Sequence, residues 1–125
     1  MWEKRKYFFQ MRKNIKQEYQ VDLIIYDTQK EMLDDCKLKN KEDKDIEGAF
    51  IPARGNSKYI GSIHLNKEQL NIENIIHEAS HAAIEVNRHI RKCRLAVHEE
   101  KIVYAIGQLA SLLIEDILFA KEEKC

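Results

Sequence analysis

Between residues 4 and 19, Tyr7, Phe8, Met11, Ile15 and Tyr19 recur near one helical face, with Lys and Arg around them. That spacing predicts a first helix. The run "VDLIIYD", 21–27, is β-branched and aromatic and predicts a strand. Thr28 then caps a short helix through about Leu38, with Glu31 three residues on completing a Thr-x-x-Glu capping box. "KLKNKEDKDIEG" is almost wholly polar and predicts a loop. Two further strands follow, 46–53 and 59–66, around the turn-forming "RGNSK", so an antiparallel hairpin is expected, with Pro52 at an edge or a turn.

From Asn71 to about Asn87 the period returns to helical, and Ile72, Ile75, Ile76, Ala79, Ala83 and Val86 form an apolar stripe. A basic connection, "NRHIRKCR", leads to a last helix over about 97–120. Ile102, Val103, Ile106, Leu109, Leu113, Ile117 and Leu118 are its expected buried positions. The order helix, strand, helix, two strands, two helices predicts an α+β fold. Its sheet is expected to be small, three-stranded and mostly antiparallel, backed by the last two helices. No repeat or linker divides the 125 residues, so a single domain is expected, with residues 1–45 as an N-terminal part and 46–118 as a core.

Composition narrows the function classes. Lys plus Arg and Asp plus Glu number 21 each, so the net charge is zero and nothing favours nucleic acid as a partner. The N-terminus is basic, but "YFF" is too short for the apolar core of a signal peptide. No apolar run approaches the roughly 20 residues of a membrane span. Cys36, Cys93 and Cys125 are odd in number and form no Cys-x-x-Cys pair, which implies free thiols and a reducing, cytoplasmic compartment.

The chemistry lies in "ENIIHEASHAAIEV", 73–86. His77 and His81 stand four residues apart, so a helix puts both imidazoles on one face, as two ligands of a tetrahedral zinc require. Glu78 lies about 100° round the helix, placed to take a proton from metal-activated water rather than to ligate. Two histidines that merely find hydrogen bonds would also satisfy the spacing. The surrounding Ile and Ala make unpaired polar groups costly, about 1–3 kcal/mol each, and a metal offsets that. A catalytic zinc takes three protein ligands, and His98, Glu99 and Glu100 stand at the front of the next helix.

Eighteen residues separate His81 from Glu100, giving HExxH-x18-E. The pattern resembles the gluzincin signature of zinc metallopeptidases. The chain's size is similar to that of minigluzincins and of small metallopeptidases inferred in bacteriophage genomes. The resemblance covers residues 46–118 and implies zinc held by His77, His81 and Glu100, with Glu78 as general base. Glu99 and His98 remain alternatives to Glu100. Where thermolysin-like members carry an aspartate four residues after the glutamate ligand, orienting a ligand histidine, this chain has Tyr104, a weaker hydrogen-bond partner for an imidazole. The transition-state donor is also open among Tyr104, Tyr59, His64 and His89.

The resemblance further implies a peptide or protein substrate, the cytoplasm (a host's, if the chain is viral) and a strand, "YIGSIHLN", serving as the sheet edge on which a peptide lies. Gly61 in that strand would permit close backbone approach. The alternative function is a weak or inactive metal-stabilised binding or regulatory protein on the same fold, such as an inhibitor or a viral anti-defence factor.

Overall fold

The computed structural model describes residues 3–10, 18–37, 46–53, 58–89 and 95–119. Side chains at 87–89, 95–100 and 119 are outside that description. Four strands form one mixed sheet: β1 (Glu3–Phe9), β2 (Tyr19–Tyr26), β3 (Gly48–Pro52) and β4 (Tyr59–Asn66), in the order β1-β2-β4-β3. The outer pairs are antiparallel and the central pair, β2 with β4, is parallel. The helices are α1 (Gln29–Asp35), α2 (Ile72–His89) and α3 (Leu95–Ile114), the last ending in a wide π-helical turn, Glu115–Phe119. Among the described residues the architecture is α+β, with four strands rather than three.

The extra strand replaces the helix expected over 4–19. Arg5, Tyr7 and Phe9 alternate with exposed Lys4, Lys6 and Phe8, which is the period of a strand with one buried face. Tyr7 pairs with Val21 and Phe9 with Tyr19 across an antiparallel ladder. Met11 and Ile15, the middle of the expected helix, lie outside the described residues. The helix period there competed with a strand period over a few residues, and the pairing with β2 decided it.

Odd-numbered positions of β2 (Val21, Leu23, Ile25) join Ile60, Ile63 and Leu65 of β4 under α2 and α3 in one core. Even-numbered positions, with Ser62, His64 and Asn66, form the opposite face, where α1 packs with buried Met32. Thr28 caps α1 as expected, its side chain accepting from the Glu31 amide at 3.1 Å. Gly61 sits at a β-bulge with φ +144°, and a Cβ there would lie 2.3 Å from the Ile51 carbonyl oxygen. That glycine serves the sheet's own irregularity.

Three burial expectations fail. Ile72 and Ile76 of α2 and Val103 of α3 are exposed, Val103 at 58 %. Ala82 joins Ile75, Ala79, Ala83 and Val86 instead, so the buried seam of α2 is rotated round the helix and three of these five residues are alanines. α3 buries Ala105, Leu109 and Leu113, and Ile117 follows in the π-helical turn. Small side chains on α2 let α3 and the sheet approach it closely. No helix among the described residues is long and apolar enough to cross a membrane.

Candidate metal centre

α2 begins where Asn71 accepts a hydrogen bond from the Asn74 amide at 2.8 Å. Its buried seam faces β3, β4 and α3. His77 and His81 flank that seam on the exposed side, while Glu78 faces inward and is 4 % exposed. The helix therefore separates the roles expected of the three residues: two imidazoles outward together, one carboxylate inward beside them.

The imidazole nitrogens converge. Nε2 of His77 and Nε2 of His81 are 3.2 Å apart, and the rings meet edge to face with centroids 4.8 Å apart. Ligands about 2.0–2.1 Å from a zinc at the tetrahedral angle are separated by roughly 3.3–3.4 Å, so the pair fits such an ion. The same separation suits an N–H···N hydrogen bond between unlike tautomers, so the geometry admits a metal without demanding one. One ligand atom each from His77, Glu78 and His81 falls within 4.8 Å of the others.

Glu78 lies against the edge strand. A Cβ at Gly48 would come within 3.1 Å of both Cγ and Oε2 of Glu78, and within 3.1 Å of Leu65. Any side chain at that position would crowd the carboxylate. Burial pushes the Glu78 carboxyl above its ordinary range, with His77 pulling it partly back. A carboxylate with raised proton affinity is better matched to proton transfer near neutral pH. Gly48 is the site residue that the sequence reading missed; the only signal was a glycine at the start of an apolar strand.

Glu100, Glu99 and His98 belong to the first turns of α3, which packs on α2, but their side chains lie outside the described residues. Of the candidate donors, Tyr104 is half-buried on α3 and accepts from Gln108 at 3.4 Å. His89 ends α2, its side chain outside the described residues. Tyr59 and His64 are not in this neighbourhood. Both face the opposite side of the sheet, Tyr59 towards Asp22 and Ser62, His64 towards Tyr26. The expected edge strand also changes: β4 is internal, and β3 is the edge beside Glu78.

No protein-family model matches the chain, nor does any curated protein or solved structure. The site's own chemistry carries the functional argument.

Proposed function

We propose that this chain is a zinc-dependent metallopeptidase, its metal held by His77, His81 and an acidic residue at the start of α3, Glu100 in the gluzincin-like register. The observation that carries this reading is the 3.2 Å approach of two imidazole nitrogens beside a buried carboxylate. A zinc ion held there supplies Lewis acidity, which polarises a peptide carbonyl and acidifies water towards neutrality. Glu78 accepts a proton at its carboxylate and returns it to the leaving amine. The slot over Gly48 holds that carboxylate in place against β3. As the sheet edge, β3 can take an extended peptide or protein substrate by main-chain pairing. The expected compartment is the cytoplasm, consistent with the free thiol of Cys36.

A second reading, a metal-stabilised binding or regulatory protein, is favoured by one observation. Glu78 is nearly inaccessible, lodged between α2 and the edge strand rather than open to solvent. Metal analysis and a peptide library separate the readings. The peptidase reading expects about one zinc per chain in wild type and in Glu78→Gln. It also expects hydrolysis that falls by about 10²–10⁴ in the variant, the usual range for a lost general base. Zinc without hydrolysis leaves the second reading standing. Failure to bind zinc removes both.

A further inference from the structure

The sheet face turned away from α2 carries a connected set of polar groups that the metal centre does not use. Ser62 Oγ is 2.8 Å from His64 Nε2, and His64 Nδ1 is 2.9 Å from the Tyr26 hydroxyl. Tyr26 in turn donates to the Asp35 carboxylate on α1, and the Cys36 thiol is a further partner of its hydroxyl, able to donate to the same oxygen. Tyr59 reaches Asp22 and Ser62 from the other side. His64 is 4 % exposed, whereas Ser62 is half-buried and Asp35 lies at the surface.

Counting protons fixes the direction of this chain. A carboxylate only accepts, so the single hydroxyl proton of Tyr26 goes to Asp35. The Tyr26 oxygen is then an acceptor, and His64 must donate to it from Nδ1. A neutral His64 consequently has a bare Nε2, and that nitrogen faces the Ser62 hydroxyl. Burial holds His64 below its usual proton affinity and favours this neutral form, although Asp35 opposes the shift. The result has the parts of an activated serine: hydroxyl, base and a group that orients the base. Lys4, which reaches Asp22 at 3.7 Å, places an ammonium on the same face, and Asp22 is the cross-strand neighbour of Ser62.

We infer that Ser62 is a nucleophile separate from the metal site, with His64 as its general base, accepting an acyl group from activated carboxylic esters. In the step, Ser62 Oγ bonds to the acyl carbon and the bond from that carbon to the leaving oxygen breaks. The serine proton passes to His64 Nε2 and then to the departing oxygen. Tyr26 and Asp35 are positioning residues that fix the His64 tautomer.

The test uses the full chain with p-nitrophenyl acetate in the presence of chelator, so that any metal-dependent hydrolysis is silent. Acetylated residues are mapped by tandem mass spectrometry over time. Wild type should acquire acetyl on Ser62 faster than on surface lysines. Ser62→Ala should lose that adduct while lysine acetylation continues at the same rate. His64→Gln should slow the Ser62 adduct by about 100-fold or more, the lower end of general-base contributions. Asp35→Asn alters a surface group, and it should move the pH midpoint of Ser62 acetylation downward, since Asp35 raises the proton affinity of His64. Wild type with acetylated lysines but unmodified Ser62 would overturn the inference. So would a His64→Gln rate equal to wild type, or an unmoved midpoint in Asp35→Asn.

Discussion

At the scale of single residues, the position of Glu78 depends on an atom that is absent. Gly48→Ala would bring a Cβ to 3.1 Å from the Glu78 Cγ and Oε2, so the carboxylate must shift by a few tenths of an ångström. Zinc content should stay near wild type, because His77 and His81 lie on the exposed side of α2, while peptide hydrolysis should drop at least about tenfold through lost alignment. Unchanged hydrolysis in a folded Gly48→Ala protein would detach the slot from the chemistry. The HEASH spacing was legible in the sequence because i,i+4 geometry is local to one helix. The roles of Gly48 and His64 were not, because each is set by a residue distant in the chain. His64 also gives a pH prediction. Burial lowers its pKa from the ordinary 6.5 in the folded chain, and unfolding restores that value. The unfolded state therefore binds the extra proton first. This contribution to stability is complete above 6.5 and is lost as pH falls towards the folded value, by at most about 1.4 kcal/mol per pH unit. Urea midpoints measured from about pH 8 to about pH 5 should show a steeper acid decline for wild type than for His64→Gln.

At the scale of elements, two helix starts coincide with a local signal in the chain. Thr28 and Glu31 marked the start of α1, and Asn71 the start of α2, where short side-chain contacts settle the ends. β1 had no such marker. Its identity as a strand depends on β2 beside it and on the end of α3, from which Asp116 accepts bonds from Tyr7 and, at 2.8 Å, from Arg5. These contacts span more than a hundred residues of sequence and leave no trace in a local period. Asp116→Ala should therefore loosen β1 specifically. With the Tyr7 hydroxyl half-deprived of water and of its acceptor, a loss of about 1–2 kcal/mol is expected. Hydrogen exchange should localise it: amides of β1 should exchange faster, while those of α2 stay protected. A uniform change across the sheet would show that Asp116 holds the fold generally rather than this strand.

At the scale of the whole molecule, composition and element order were enough for the α+β class, but not for the strand count or the parallel pairing at the sheet's centre. The latter arises because the chain leaves β2, crosses with α1, forms β3 at the far edge and returns as β4 between them. The proposed metal site on α2 and the Ser62–His64 pair beside α1 then lie on opposite sides of one sheet. If zinc joins α2 to the start of α3, it links the two helices that close one face, and binding must stabilise the native fold. A ligand that binds only the folded chain adds about 2.7 kcal/mol at a hundredfold excess over its dissociation constant. For a domain of this size that is roughly 10 °C in melting temperature. His77 and His81 are exposed, so His77→Ala and His81→Ala remove little packing and should melt close to metal-free wild type. Zinc should raise the wild-type melting temperature, chelator should return it to the starting value, and neither should move the two variants. A wild type indifferent to both zinc and chelator would mean that the 3.2 Å histidine pair is a hydrogen bond and not a ligand pair.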